Sequence, residues 1–136
     1  MSPSAILESA LYVTDLAAAE AFYAEVLGLD ILGKVDGRHV FFRCGAGVLL
    51  LFNAEATRHP PAADARLPVP PHGTTGQGHL CFSATADEIS RWKTHLEDCS
   101  IRVEADFQWP NGGRSIYFRD PSGNSLEFAE PRIWGL

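Results

Sequence analysis

The chain has 136 residues, 46% apolar and 21% charged, which fits one globular domain and excludes a disordered or fibrous chain. Eleven basic against 17 acidic residues give a formal charge of −6 and a pI of about 5.2, so a nucleic-acid backbone, which needs clustered Lys and Arg, is excluded as a partner. The longest apolar run, Val48 to Phe52, falls far short of the roughly 20 residues of a membrane span, and no basic stretch followed by an apolar run opens the chain. The expectation is a cytoplasmic protein with neither membrane nor nucleic-acid partners.

Ile6 to Val13 is rich in β-formers and predicts a first strand, after which Thr14-Asp15 offers capping oxygens to a helix. From Leu16 to Leu27 the residues Leu16, Ala19, Phe22, Tyr23, Val26 and Leu27 recur at three and four, and Gly28 marks the end. Strands are predicted over Leu29 to Val35, Arg38 to Cys44 and Val48 to Phe52, with turns at Asp36-Gly37 and Gly45-Ala46-Gly47. Asn53 to Gly78 holds Pro60, Pro61, Pro68, Pro70 and Pro71 and reads as a crossing linker or a mobile lid. A strand at His79 to Ser83 and a helix from about Asp87 to Asp98, with Ile89, Trp92 and Leu96 inward, come next. Strands near Ile101 to Phe107, Arg114 to Arg119 and Ser125 to Ala129 follow, separated by Asn111-Gly112-Gly113 and the Asp120-Pro121-Ser122-Gly123-Asn124 turn. In the tail, Trp134 predicts docking on a surface. Cys44, Cys81 and Cys99 match no CxxC motif and are read as reduced and mostly buried thiols without chemistry.

The order β-α-β-β-β occurs twice, and residues recur with it. Gly37-Arg38-His39-Val40-Phe41-Phe42-Arg43 reappears 76 positions later as Gly113-Arg114-Ser115-Ile116-Tyr117-Phe118-Arg119. The same offset maps Gly47 onto Gly123, Leu50 onto Leu126, Leu51 onto Glu127 and Phe52 onto Phe128. The predicted class is α+β, a single domain over 1–136 made of two tandem βαβββ modules, about 5–54 and 78–130, joined by a linker of about 55–77.

In the last strand, period two separates Leu126 and Phe128 from Ser125, Glu127 and Ala129, so the Glu127 carboxylate lies on the face away from the apolar pair. On an open solvent face it means nothing; in a trough it needs a cation partner. His79 opens the first strand of the second module, and aligning Leu11 on Phe82 places Glu8 at the same point of the first. The duplication thus gives four equivalent positions, holding Glu8, Leu51, His79 and Glu127.

Val13-Thr14-Asp15-Leu16 followed by Phe22-Tyr23-x-x-Val26-Leu27-Gly28, and the closing Tyr117-Phe118-Arg119-Asp120-Pro121-Ser122-Gly123-Asn124-Ser125-Leu126-Glu127, resemble the vicinal oxygen chelate superfamily, which includes glyoxalase I, bleomycin- and fosfomycin-resistance proteins and extradiol dioxygenases. The resemblance implies a cup-shaped eight-stranded mixed sheet with helices outside, a homodimer, and metal ligands from first and last strands. Carried over by position these are Glu8, His79 and Glu127, with Leu51 where glyoxalase I has a fourth ligand. Three ligands with open positions suit one divalent Mn, Fe, Zn or Ni ion that binds substrate directly. The implied chemistry is polarisation of a small substrate with neighbouring oxygens, Glu127 or Glu8 serving as proton-transfer base. Leu51, Phe107, Trp109 and Tyr117 are expected to wall the substrate pocket. Arg114 is either an anion clamp there or, like Arg38 at the same repeat position, a brace. The leading expectation is a metal-dependent enzyme of the glyoxalase/dioxygenase type; the alternative is a non-catalytic protein that binds a drug or metabolite.

Overall fold

All eight expected strands form, in a computed structural model that describes residues 1–136. They make two four-stranded mixed sheets, one in each of two compact units, Met1–Gly76 and Gln77–Leu136. β1 (Glu8–Tyr12), β2 (Asp30–Val35), β3 (His39–Cys44) and β4 (Gly47–Phe52) lie in the order β1-β4-β3-β2. β5 (His79–Ser83), β6 (Ala105–Gln108), β7 (Arg114–Arg119) and β8 (Ser125–Ala129) repeat it as β5-β8-β7-β6. In each sheet the first strand is parallel to the last and the other pairs are antiparallel, so the duplication read from the sequence is one of topology. The class is α+β, two βαβββ modules.

In the first unit Asp15 caps α1 (Leu16–Ala21) by accepting from the Ala18 N–H at 3.0 Å. The expected helix to Leu27 is not α-helical throughout: Phe22–Val26 forms a π turn, closed by the Leu27 N–H on the Phe22 carbonyl at 3.2 Å. The wider turn still buries Phe22 and Tyr23, and Gly28, at φ +69°, ends it. Tyr23 packs on Phe42 on the α1 side of the sheet, where Leu11, Val40, Leu49 and Leu51 are also buried.

The opposite face carries Glu8, Ala10, Tyr12, His39, Phe41, Arg43, Leu50 and Phe52, by the strand register. Part of it is covered by the proline-rich segment, which belongs with this unit. After α2 (Ala54–Thr57), capped by Asn53, the chain returns so that the His72 N–H donates to the Thr57 carbonyl at 3.0 Å. The Tyr12 hydroxyl meets His72 Nδ1 at 2.7 Å, and the His72 ring stands edge-on to Phe52 at 4.6 Å.

In the second unit Thr85 and Glu88 form a reciprocal capping box at the start of α3 (Ala86–Asp98). Ile89 and Leu96 are fully buried, and Trp92 stacks on Phe128 at 4.6 Å. β6 is shorter than expected at its start because Ile101 closes the helix, its N–H on the Leu96 carbonyl at 2.8 Å. The Asp120–Asn124 turn is held by Asp120 Oδ1, which accepts from the Ser122 and Asn124 N–H groups at 2.9 Å each. Asn124 Oδ1 then accepts from the Gly78 N–H at 2.7 Å, so the closing motif also fixes where β5 begins. The tail forms a 3₁₀ turn, Pro131–Trp134, seated by Ile133 against Gly113, where no Cβ would fit. Trp134 is not the anchor: it is 80% exposed.

Pairing also corrects the repeat offset. Cys44 pairs with Gly47 across the β3–β4 turn, whereas the Asp120 N–H reaches the Asn124 carbonyl across the β7–β8 turn, one residue longer. The offset of 76 therefore holds in β3 and β7 and becomes 77 in β4 and β8, so Phe42 pairs with Leu49 as Phe118 pairs with Leu126. One residue of slip reverses the face of every side chain that follows. Leu51 is thereby on the α1 side, fully buried, and the position matching Glu127 is Leu50. The expected pocket role of Leu51 is withdrawn on that ground.

Candidate metal and substrate site

The face of the second sheet opposite α3 carries His79 and Cys81 from β5, Ser125 and Glu127 from β8, Ser115, Tyr117 and Arg119 from β7, and Phe107 from β6. Glu127 is at its centre, directly across from Cys81 on one side and Tyr117 on the other, and only 5% exposed. Its Oε1 is buried without a hydrogen-bond partner, and its Oε2 lies 3.4 Å from His79 Nε2.

His79 Nδ1 is 3.0 Å from the Ser125 carbonyl oxygen. A carbonyl only accepts, so Nδ1 carries a proton, and Nε2 is the nitrogen turned toward Glu127. A buried carboxylate facing a ring nitrogen calls for a proton or a cation between them. The Nδ1–carbonyl bond is the usual device for orienting a histidine ligand. Two donor atoms each about 2.0–2.2 Å from one divalent ion stand about 3.0–3.4 Å apart at octahedral or tetrahedral angles, so the observed pair fits such an ion.

The surrounding acids stay neutral. Burial first and the Glu127 carboxylate second push the Cys81 thiol and the Tyr117 phenol each up to about 12. Glu127 is thus the charge that this face presents to a cation. Cys81 and Ser115 were not singled out from the sequence, although each has the strand parity of a residue that was, His79 and Tyr117; nor are the cysteines mostly buried as expected, since Cys81 and Cys99 are exposed residues and Cys44 is half-buried.

Aromatic rings extend the site toward the β6 edge. Tyr117 lies near-parallel to His79 at 6.2 Å, Phe107 parallel to Tyr117 at 5.8 Å, and Trp109 edge-on to Phe107 at 5.1 Å. The Trp109 indole N–H donates to Ser115 Oγ at 2.8 Å. Phe107, Trp109 and Tyr117 are therefore brought together beside His79 and Glu127.

Arg114 is not. It is on the α3 side, its Nε 2.8 Å from Asp106 Oδ1 and its Nη1 2.8 Å from Ser90 Oγ. These bonds, Arg114 first and Lys93 second, hold the Asp106 carboxyl down at about 2. The anion clamp is corrected to a brace between α3 and the sheet. Arg119, on the site's own face, is committed to Glu104 at 3.1 Å and to the Gly123 carbonyl at 3.0 Å.

Glu8, the remaining expected ligand, opens β1 of the first unit, exposed and without an ion pair there. No group of three or more His, Cys, Asp or Glu side chains arranged to hold a metal occurs within either unit. The second unit supplies the His79 and Glu127 pair.

The family model described as the Glyoxalase/Bleomycin resistance protein/Dioxygenase superfamily matches residues 5–128. The structure is similar to the crystal structure of a lactoylglutathione lyase from Agrobacterium tumefaciens, with a TM-score of 0.93 and 50% identity over 100% of both chains. It is also similar to an integron cassette protein from the mobile metagenome of the Halifax Harbour sewage outfall, with a TM-score of 0.74 and 25% identity over 94% of this chain and 99% of that one. The fold alone is shared with the fosfomycin resistance protein FosX of Listeria monocytogenes, with a TM-score of 0.68 and 16% identity over 95% of this chain and 94% of that one. No curated protein matches the sequence.

Proposed function

Because the chain belongs to the Glyoxalase/Bleomycin resistance protein/Dioxygenase superfamily, we propose that it is a metal-dependent lyase of the glyoxalase type. Its substrate would be a small molecule held through two neighbouring oxygens. The observation that carries the reading is the buried Glu127, one oxygen without a well-formed hydrogen bond and the other facing Nε2 of an oriented His79. The 50% identity to a lactoylglutathione lyase supports the reaction class.

Lactoylglutathione is a 2-hydroxy thioester, and it is an isomer of the hemithioacetal of a 2-oxoaldehyde with glutathione. Conversion removes a proton from the carbon bearing sulfur and returns one to the neighbouring carbon, while the hydroxyl becomes the thioester carbonyl and the ketone becomes the hydroxyl. No atom is gained or lost. His79 and Glu127, with Glu8 as third ligand, would hold one Mn, Fe, Zn or Ni ion, which when bound polarises the two substrate oxygens and acidifies the C–H between them. Of the two carboxylates, Glu127 is the better base because its Oε1 is buried and engaged by no cation. Tyr117 and Cys81, neutral at working pH, hold polar hydrogens at the carboxylate without competing for negative charge. We read the enzyme as a homodimer, a state that light scattering measures directly.

Metal analysis and titration calorimetry on the parent, Glu8→Ala, His79→Ala and Glu127→Ala test the site, with thioester formation from methylglyoxal and glutathione as the activity readout. Uptake of one ion, lost in the variants together with turnover, is expected. A parent that takes up no metal overturns the proposal. The second reading, a non-catalytic binder, draws on the exposed rings of Phe107 and Trp109. It predicts a tightly held ligand recovered chemically unchanged.

A further inference from the structure

We infer that the ring row of the second unit selects a substrate whose chelating oxygens carry an aromatic, or similarly flat and apolar, substituent; the inference rests on the metal-site reading above and deepens it. Phe107 and Trp109 are 40% and 37% exposed, which leaves apolar ring surface open to a ligand. They are nonetheless fixed in place. The indole is tied to Ser115, the Trp109 N–H donates to the Gly113 carbonyl at 2.7 Å, and the Gly112 N–H returns to the Trp109 carbonyl at 2.8 Å. Rings held before a ligand arrives lose little freedom when it binds.

The row is continuous with the metal pair. From Phe107 to Tyr117 the interplanar angle is 8°, and from Tyr117 to His79 it is 22°, so the rings form one near-parallel row that an apolar group attached to oxygens held at His79 and Glu127 would lie along. Charge points the same way. Arg119 is the one Lys or Arg among the strand residues of this face, and Glu104 and Gly123 already engage it. A carboxylate substituent lying along the row would find no free Lys or Arg among these strand residues to pair with, whereas an uncharged ring needs none.

Titration calorimetry of the metal-loaded protein with benzohydroxamate and acetohydroxamate tests this, since the two share one bidentate oxygen head and differ only in ring against methyl. The parent should bind the benzo compound about tenfold or more tightly, the scale of a well-placed aromatic contact. Phe107→Leu and Trp109→Leu should each shrink that ratio toward unity, with circular dichroism and metal content matching the parent. Equal affinities in the parent, or a ratio unchanged in both variants while metal uptake is intact, would overturn the inference and leave the metal reading standing. A parent that binds neither compound and no metal removes both.

Discussion

Exchanging Glu127 for Gln should make the metal-free protein more stable and the metal-loaded protein no better. The carboxylate is 5% exposed, its Oε1 accepts no well-formed hydrogen bond although Cys81 and Tyr117 hold polar hydrogens nearby, and its Oε2 is 3.4 Å from His79 Nε2. A buried polar group left unsatisfied costs about 1–3 kcal/mol, more when charged. Gln has the same shape, carries no charge, and can donate an N–H to Nε2 of a neutral His79 ring. Metal-free Glu127→Gln should therefore gain about 1–3 kcal/mol, or several degrees in melting temperature for a chain of this length. Metal at one hundred times its dissociation constant stabilises the parent by about 2.7 kcal/mol, and most of that increment should vanish in the variant because an amide is a poor ligand. Scanning calorimetry after exhaustive chelation, then with Mn, Fe(II), Zn or Ni added, reads both effects. A metal-free variant that melts below the parent would show that the carboxylate is already compensated and refute the reasoning; equal metal-induced shifts would show that Glu127 is no ligand.

Alkaline stability follows from Cys81 and Tyr117, whose ordinary values of 9.0 and 10.0 are pushed up to about 12 in the fold. The unfolded chain then releases these protons first, so stability should be level below about pH 9 and fall as pH climbs toward 12, as urea midpoints across that window will report. The fall should be shallower in Glu127→Gln but persist, because burial is the larger cause; a flat profile in the parent would contradict it. Leu51→Ala should lose about 2–5 kcal/mol in urea denaturation, as a fully buried side chain on the α1 side does, while metal uptake stays at the parent level. Loss of metal binding without loss of stability would restore Leu51 to the site.

Strand parity carried most of what was legible. Alternation within Ser125–Ala129 placed Glu127 opposite Leu126 and Phe128, and His79 with Cys81 opposite Leu80 and Phe82, which is the arrangement found. Parity fails across a turn whose length differs between the copies, and one extra residue before β8 sent Leu51 to the wrong face. Of the two readings left open for Arg114, parity favoured the brace that is found, since Arg114 alternates in phase with Ile116 and Phe118, both wholly buried. Thr85 and Glu88 also spelled a capping box in plain view, one residue ahead of the helix start expected near Asp87. The π turn at Phe22–Val26 left no such mark: it buries Leu27 with Phe22 and Tyr23 at spacings of five and four, the latter common to both helices, and leaves Val26, expected inward, half-buried. Trp134 shows the limit of composition: a large ring names a need for contact, not the residue that makes it, and Ile133 does so instead.

The unequal wear on the two copies is itself an argument about function. At matching register Cys81, Glu127 and Tyr117 in the second unit stand where Ala10, Leu50 and Phe41 stand in the first. The first set combines a buried charge with two groups whose ionisation it suppresses, and the second set contains no group that titrates. A folding optimum would favour the apolar trio in both copies, since each meets the same packing demand without an uncompensated carboxylate. That one copy keeps the costly version, beside His79, supports the proposed metal reading over a purely structural one. Of the first copy's matching positions, only Glu8 remains a metal-ligand type, at the place where the second has His79. On the proposed reading, the ligand pair His79 and Glu127 would therefore come from the second unit.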